Sequence, residues 1–502
     1  MKPRLFDIVG VVAVLAFVGW VVHLATADAG LLADAERFEL SDEDRAAGWR
    51  PGTEWQGIYL KEQKVGYIRL DKWKDGDLYR MRSDMVLHLT VMKSRQRIQT
   101  KLNASMDHRF VMRDFDMTIA SGPADIDIRG KVVAGNKVEV EIRSAGDVQT
   151  QTVQLKEEPR MQFSLKALLA RKDLAPGDKL ALSFFDPASM SEREIVIEYK
   201  GRSKERYLET DVEAFHFVQN FGGVPLDVYV NQIGEVLKEQ LPMGLVGVRE
   251  TGVEARYGVT TGTVAPAEDV IDAVSVRPKD GRFPIKDRRV AVRLSGLNFD
   301  GLHLDGGRQK WAPVADATSG VLQIELDDLS RLRTHTIADA VQDEYTQPEP
   351  MIQSQNRLIR EQARRIVGDE TSVIAAAEKV SEWAFKKIDK ENVIGIPSAV
   401  ETLQNLRGDC NEHTTLVVGL LRSVGIPARP AIGVAYLDDR HRFFYHAWVE
   451  VRAGEQWVAI DPTFGQNEAA DIGHIRFVTG GLAEQVEMFR VIGQLQIEVV
   501  NP

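Results

Sequence analysis

The sequence predicts a multidomain protein with an N-terminal membrane helix, a large antiparallel β-rich region and a C-terminal domain of helices and strands. Three observations predict this organisation. An apolar run follows basic residues at the N-terminus, short alternating segments separated by turn residues fill the middle, and apolar residues recur at helical spacing towards the C-terminus. A chain of 502 residues has room for several domains, because a single core stops growing at about 250–300 residues.

The N-terminal segment 1–27 has the features of a signal anchor. Lys2 and Arg4 precede an apolar run from Ile8 to Leu24, and a membrane-spanning helix needs about 20 apolar residues. We interpret the segment as an uncleaved transmembrane helix. The alternative is a cleaved signal peptide, because Ala25-Thr26-Ala27 offers a cleavage site with small residues.

Charges beside this segment predict its orientation. Basic residues lie before it, and Asp28, Asp34 and Glu36 lie after it, which is typical of a cytoplasmic N-terminus. We therefore expect a single-pass protein of the inner (cytoplasmic) membrane, with its body in the periplasm or extracytoplasmic space. The membrane and other envelope proteins are then expected partners.

The middle of the chain has the pattern of antiparallel sheet. After a connector at 28–50, residues 51–262 contain short alternating segments and predict one large β-rich domain. One hairpin is explicit, since alternating segments around Ile126 and around Val140 flank a turn at Gly135-Asn136. Residues 263–346 predict a second, smaller β domain.

The C-terminal domain is predicted at 351–502, after a proline-containing linker. Apolar residues here recur at steps of three or four, as between Val373 and Ile388, and this spacing indicates helices. A later helical stripe runs from Leu416 to Val424 and ends at Gly425, which is a helix C-terminal signal. Cys410 would lie at the beginning of that helix.

Composition excludes one class of partner. The chain has 74 acidic and 63 basic residues, and its net charge of −11 repels phosphate backbones. No basic stripe is visible, so we do not expect nucleic acid as a partner.

Cys410 is the single cysteine, so the chain can form no intramolecular disulfide. A helix N-terminus has unpaired N–H groups and a partial positive charge, both of which favour the thiolate. Gly408 lets the chain turn tightly into the helix. The N–H of Cys410 itself could stabilise an oxyanion, so the residue is a candidate nucleophile.

His446 and Asp461 are the candidate partners of the thiol. His446 and Trp448 alternate on one face of a predicted strand, and the next strand ends at Asp461 after a turn at Ala453-Gly454. This hairpin can place the carboxylate beside the imidazole. Such a carboxylate fixes the tautomer of the imidazole, which moves protons to and from the thiol.

Four motifs in this order resemble the core of the transglutaminase-like superfamily, in a form similar to its bacterial membrane-anchored members. The resemblance covers about residues 351–480, and its motifs are Gly408-Asp409-Cys410-Asn411-Glu412-His413, Leu421 to Arg429, His446-Ala447-Trp448-Val449 and Asp461-Pro462-Thr463. It implies an α+β, papain-type fold and a Cys-His-Asp triad at Cys410, His446 and Asp461. The superfamily includes cross-linking enzymes, proteases, amidases and inactive scaffolds, so the resemblance predicts mechanism better than substrate.

Three further residues are candidates for the oxyanion site or the substrate cleft. Gln404 could direct its amide at the oxyanion. His413 could flank the thiol or serve as a hydrogen-bonding support for the triad. Trp448 could line the cleft or only pack on the sheet.

A zinc site is the alternative for the same residues, because Cys410, His413, His446 and Asp461 are all possible ligands. A closed zinc site would usually include more thiols, and the triad already accounts for three of the four residues. The sequence also has no P-loop and no dinucleotide-binding fingerprint. We therefore expect neither a metal nor a cofactor.

These observations predict an extracytoplasmic cysteine hydrolase, a peptidase or amidase, that acts on a protein or peptide through a thioester intermediate. Two alternatives remain open. The enzyme could be an acyltransferase that passes the acyl group to an amine, as transglutaminases do. The domain could also be a catalytically silent scaffold or binding protein of the cell envelope.

Overall fold

The computed structural model describes most of the chain after residue 34. The described residues are 35–37, 41–60, 62–91, 94–121, 124–144, 147–160, 174–187, 191–207, 210–221, 224–241, 244–259, 275–315, 317–349, 351–391, 398–481, 487–488 and 491–500. They form two compact units, one ending at residue 259 and the other beginning at residue 275.

The first unit is built from one large sheet. Its strands are β1 (Glu36–Arg37), β2 (Gly52–Leu60), β3 (Gln63–Asp75), β4 (Leu78–Val91), β5 (Ser94–Met106), β6 (Met112–Ser121), β7 (Ala124–Ala134), β8 (Lys137–Ser144), β9 (Asp147–Gln154), β10 (Lys179–Asp186), β11 (Ser191–Tyr207), β12 (Thr210–Phe221), β13 (Val224–Val230), β14 (Val236–Leu241) and β15 (Leu245–Arg249). Two short helices accompany them, α1 (Asp42–Gly48) and α2 (Gly252–Arg256).

The strand order is β1-β10-β11-β12-β13-β14-β15-β2-β3-β4-β5-β6-β7-β8-β9. Neighbouring strands are antiparallel except β1 and β10, which are parallel. Most neighbours are consecutive hairpins, as expected from alternating segments separated by turns. The predicted hairpin is confirmed: β7 and β8 flank Gly135-Asn136, and Gly135 has a φ of 47°, a conformation that glycine adopts without strain. One hydrophobic core of this unit includes Leu180, Ile197 and Phe217.

The second unit combines two four-stranded sheets with α-helices, which include the longest ones among the described residues. Its strands are β16 (Arg289–Ser295), β17 (Gln309–Pro313), β18 (Ser319–Glu325), β19 (Asp389–Lys390), β20 (Arg407–Gly408), β21 (Ala428–Leu437), β22 (Arg442–Ala453), β23 (Gln456–Ile460), β24 (His474–Thr479) and β25 (Gln496–Val500). Its α-helices are α3 (Leu329–Leu332), α4 (Arg357–Val367), α5 (Val373–Lys387), α6 (Ala399–Asn405) and α7 (Cys410–Ser423). Two 3-10 turns lie at Ile337–Asp339 and Glu344–Thr346.

The two sheets of this unit have the orders β17-β18-β16-β25 and β23-β22-β21-β24, and β19 and β20 form a short parallel pair. Strand β25 pairs with β16 although the two lie about two hundred positions apart, with Ala291 opposite Val500. The unit therefore includes described residues of both stretches that the sequence analysis assigned separately, 263–346 and 351–502. Their status as two domains stays a prediction.

The helices of the second unit begin where the sequence supplies a cap. Ser372 caps α5 by accepting a hydrogen bond from the N–H of Ala375, and Asp409 caps α7 in a reciprocal arrangement with Glu412. The predicted apolar stripe from Val373 to Ile388 is buried. These helices and the sheet of β21–β23 share one core, to which α7 contributes residues between Leu416 and Leu421, and α7 packs against β22.

The prediction of an N-terminal membrane helix is not supported, so the fold class, the single-pass inner-membrane location and the membrane as a partner are corrected. No helix among the described residues is long and apolar enough to cross a membrane. The longest α-helix there, α5, has 15 residues, whereas a span needs about 20 apolar ones. The described part of the chain is mostly β-structure, with few helices. Segment 1–27 itself lies outside the described residues.

The shared core predicts that replacing two leucines by alanine has very different effects on the free energy of unfolding. Leu420 in α7 is fully buried, whereas Leu358 in α4 is 36% exposed. We expect Leu420→Ala to lower the free energy of unfolding by about 2–5 kcal/mol, because it removes buried methyl groups and leaves a cavity. We expect Leu358→Ala to change it by less than about 1 kcal/mol. Chemical denaturation followed by the helical circular-dichroism signal measures both, and equal effects would contradict the position of this core.

Candidate active site

Cys410 is the first residue of α7 and is fully buried. The carboxylate of Asp409 accepts a hydrogen bond from the N–H of Asn411 at 3.0 Å, and Glu412 accepts one from the N–H of Asp409 at 2.9 Å. These contacts fix the first turn of the helix. The sulfur therefore lies at the positive end of the helix dipole, as the sequence predicts.

Gly408 makes this sharp entry into α7 possible. Its φ is +155°, and a Cβ atom at this position would lie 2.3 Å from the Cβ of Glu412. A larger residue would therefore displace Glu412, which is one partner of the cap. Position 408 therefore requires glycine for a steric reason, because the start of the helix leaves no room for a side chain there.

His446 and Asp461 are brought together by the hairpin of β22 and β23. The Nε2 atom of His446 lies 2.7 Å from Oδ2 of Asp461, and both side chains are fully buried. Because an ionised carboxylate only accepts, Nε2 carries the hydrogen. Nδ1 of His446 has no hydrogen-bond partner among the described residues. The strand that contains His446 packs against α7, whose first residue is Cys410.

The Asp461 carboxylate accepts four hydrogen bonds. Its Oδ1 atom accepts from the N–H groups of Thr463, at 2.7 Å, and Phe464, at 3.0 Å. Its Oδ2 atom accepts from His446 and from Nε2 of His474, at 3.0 Å. Burial alone would raise the pKa of Asp461, but these two imidazoles outweigh it and hold the pKa far below its ordinary value. Asp461 is therefore ionised at neutral pH.

His474 is a residue of the site that the sequence analysis missed. It begins β24 and is almost fully buried, with Nε2 facing Asp461 and Nδ1 lying 2.9 Å from Oδ1 of Asp471. Burial lowers its pKa, but Asp471 and Asp461 more than compensate and raise it to about 9. Nothing in the local sequence marks this histidine, because its contact with Asp461 depends on how β24 pairs with β21.

His413 is fully buried one turn after Cys410. Its Nδ1 atom donates a hydrogen bond to the carbonyl oxygen of Asp409 at 2.6 Å. Burial lowers the pKa of His413 to about 4, so the ring is neutral near pH 7. Its Nε2 atom, which is then an acceptor, has no hydrogen-bond partner in the described part of the chain.

Trp448 and Gln404 have different surroundings. Trp448 is buried and packs with Ala431, Ala459 and Ala470, and its ring centroid lies 6.2 Å from that of His446. Gln404 lies in α6 and its side chain is exposed, in contrast to the fully buried Cys410. The roles predicted for these two residues and for His413 stay predictions.

One group of side chains has the composition of a metal site. Ligand atoms of His446, Asp461 and His474 lie within 4.8 Å of one another. This group includes neither Cys410 nor His413, two of the four ligands considered in the sequence analysis. Both imidazoles lie at hydrogen-bond distance from one oxygen of Asp461. An N–H of each ring can donate to that oxygen, so hydrogen bonds account for these contacts without a metal.

The family model of the transglutaminase-like superfamily matches residues 360–462, which include Cys410, His446 and Asp461. Residues 360–462 belong to this superfamily. The predicted resemblance is thus confirmed, and it places the transglutaminase-like domain in a family of thiol-dependent enzymes, cysteine hydrolases or acyltransferases. His474 lies beyond the matched residues.

Individual relatives are distant. An uncharacterised protein of Haemophilus influenzae is 29% identical over 96 residues, which are 18% of this chain and 26% of the relative. The chain thus spans about a quarter of the length of that relative. A candidate cysteine protease of Cytophaga hutchinsonii is 16% identical, with a TM-score of 0.28 over 45% of this chain and 85% of that one. A candidate protease of Parabacteroides distasonis is 8% identical, with a TM-score of 0.16 over 70% and 68% of the two chains.

The raised pKa of His474 predicts how stability depends on pH. The folded protein holds this proton more tightly than the unfolded chain, in which the pKa is near 6.5. The stabilisation is therefore complete below about pH 6.5 and is lost as the pH rises through about 9. We expect up to about 3 kcal/mol of the free energy of unfolding to disappear over this range. Urea denaturation at a series of pH values measures it.

The matched control is His474→Gln, whose amide can still donate to Asp461 but does not titrate. Its stability should change less between pH 6.5 and 9 than that of the parent protein. His413 has the opposite sign, because its lowered pKa makes stability fall as the pH drops from about 6.5 to about 4. Equal alkaline slopes for the parent and His474→Gln would show that His474 is not charged in the folded protein.

Proposed function

We propose that the transglutaminase-like domain is a cysteine hydrolase, a peptidase or amidase, with Cys410 as nucleophile, His446 as general base and acid, and Asp461 as the carboxylate that orients His446. One observation carries this proposal. Nε2 of His446 is bound to Asp461, and Nδ1 of the same ring has no partner among the described residues, on a strand that packs against the helix beginning with Cys410.

The tautomer of His446 supports the role of proton acceptor. With the hydrogen on Nε2 held by Asp461, Nδ1 of the neutral ring has a lone pair. That nitrogen can take the proton of a thiol, and the ionised carboxylate stabilises the imidazolium that forms. A protonated Asp461 could not do this, so its strongly lowered pKa favours the same role.

The surroundings of Cys410 favour a thiolate. The helix N-terminus supplies unpaired N–H groups and a partial positive charge. Glu412, two residues after Cys410, accepts a hydrogen bond from the N–H of Asp409 within the cap, and burial raises its pKa. Full burial of Cys410, His446 and Asp461 strengthens every charge interaction among them, because little water screens it.

The proposed reaction has two halves. The thiolate attacks a carboxamide or peptide carbonyl carbon, and the negative oxygen that forms is stabilised by backbone N–H groups such as that of Cys410. Nδ1–H of His446 then protonates the leaving amine as the C–N bond breaks, which leaves a thioester on Cys410. In the second half His446 takes a proton from water, the hydroxide attacks the thioester, and the acid and the thiol are released.

A protein or peptide is the proposed substrate class. An amide bond is the group that this acid–base arrangement can cleave, and water requires no second binding site. A protease-like family agrees with a protein substrate. Because the three side chains are fully buried, a substrate carbonyl reaches the sulfur only when the site opens locally.

We expect Cys410→Ala to abolish peptide hydrolysis and Asp461→Asn to lower kcat/KM by about 10²- to 10⁴-fold, because the amide would favour the wrong tautomer of His446. The measurement is cleavage of a peptide library followed by mass spectrometry. In parallel, the rate of Cys410 alkylation by iodoacetamide is recorded against pH, and it should be high well below the free-cysteine pKa of about 8.5.

Asp438→Asn is the matched control, since Asp438 is an exposed carboxylate of the same unit. It should retain parent activity. An alkylation profile with a midpoint near that of free cysteine, together with no cleavage, would show that the domain is a scaffold and would refute the proposal. Incorporation of a labelled primary amine in place of water would identify a transferase instead of a hydrolase.

A further inference from the structure

Asp461 is held by a second histidine as well as by His446. Nε2 of His474 lies 3.0 Å from the same carboxylate oxygen that accepts from His446 at 2.7 Å. The imidazole centroids of the two histidines are 5.7 Å apart. Neither the sequence motifs nor the residues matched by the family model include His474. The triad therefore has a partner contributed by a later strand.

His474 is itself fixed by a set of hydrogen bonds. Oδ1 of Asp471 faces Nδ1 of His474 and accepts from the N–H of Gly473, both at 2.9 Å. Oδ2 of Asp471 accepts from the amide of Gln466 at 2.7 Å. The partly buried guanidinium of Arg308 donates to the carbonyl oxygens of Asp471, at 2.7 Å, and His474, at 2.9 Å. Both the ring and the segment before it are thus held in place.

These contacts determine the protonation of His474. Each of its ring nitrogens faces a carboxylate oxygen, and ionised carboxylates only accept hydrogen bonds. Both nitrogens must then carry hydrogen, which makes the ring an imidazolium. A neutral ring would leave one lone pair directed at a carboxylate oxygen, which is repulsive.

We propose that His474, held between Asp471 and Asp461, is a positioning residue that fixes the Asp461 carboxylate and provides a permanent positive charge beside His446. The proposal rests on the proposed function, because it assumes that His446 and Cys410 exchange a proton. His474 does not touch the reacting atoms in this scheme. It acts through Asp461.

The charge on His474 has a defined effect on the other members of the site. A positive charge close to His446 disfavours a second imidazolium, and it favours the thiolate. It should therefore lower the pH at which the Cys410 thiolate forms. The charged groups that face His474 among the described residues are Asp461 and Asp471, which are negative, and Arg308, which is positive. The rings of Trp448 and Phe464 also lie beside His474.

The first test uses the unmodified chain. Nitrogen NMR of the uniformly labelled parent protein, with the His474 ring signals assigned through bonds from its own backbone, reports the hydrogens on both ring nitrogens. We expect His474 to be doubly protonated throughout pH 6–8, because its pKa is raised to about 9. A neutral His474 ring in that range would overturn the proposal and would leave the triad unaffected.

The second test measures the effect on the thiolate. Because Cys410 is the single cysteine, the ultraviolet absorbance of the parent protein minus that of Cys410→Ala is the absorbance of one thiolate. This titration requires no reagent to enter the buried site. We expect His474→Gln to move the thiolate midpoint upwards by about one pH unit, since a nearby positive charge is lost. Asp438→Asn, which removes an exposed charge, should leave it unchanged.

The outcomes separate the two proposals. A low thiolate midpoint in the parent that does not move in His474→Gln would refute the role of His474 and leave the proposed function standing. A parent midpoint near that of free cysteine would refute both. Circular dichroism and thermal unfolding of His474→Gln show whether it folds. Should it not fold, the NMR measurement on the parent still decides the protonation of His474.

Discussion

The site depends on one buried carboxylate. Asp461 lies where two imidazoles and two backbone N–H groups converge, so all of its acceptor positions are used. An ionised group without these partners would be too costly to bury. The carboxylate therefore fixes the rings of His446 and His474 and the turn that follows Asp461. Strand β22, the turn after Asp461 and strand β24 meet at this carboxylate. The proposed acid–base chemistry depends on its staying ionised.

The surrounding fold explains why this arrangement is rigid. Helix α7 shares a core with the sheet of β21–β23, and its capped first turn fixes Cys410 at the beginning of the helix. A second network of buried charges supports the same sheet. In this network Glu450 of β22 binds both Arg429 and Arg476. Positions of side chains on rigid helices and strands are held more closely than positions on loops.

Local patterns predicted the local features well. The alternation around His446, the helix start at Cys410 after Gly408 and the turn at Gly135-Asn136 are each set by a few neighbouring residues, and each is confirmed. The contact of His474 with Asp461 could not be predicted, because it is set by the register between β21 and β24. The membrane helix was predicted from the length of an apolar run and the charges on either side of it. An apolar run shows only that its residues are hydrophobic and does not show what surrounds them in the folded protein. None of the described helices is long and apolar enough to cross a membrane.

The pairing of β16 with β25 has a consequence for biosynthesis. These strands lie about two hundred positions apart, so the small sheet acquires its edge strand only after residues 496–500 have left the ribosome. Contacts between distant parts of a chain form slowly, because the intervening segment must first be closed into a loop. The second unit should therefore complete its folding late, with the inner strand β16 open on one side until β25 has been made. During that interval the nascent chain would be a natural client for a chaperone.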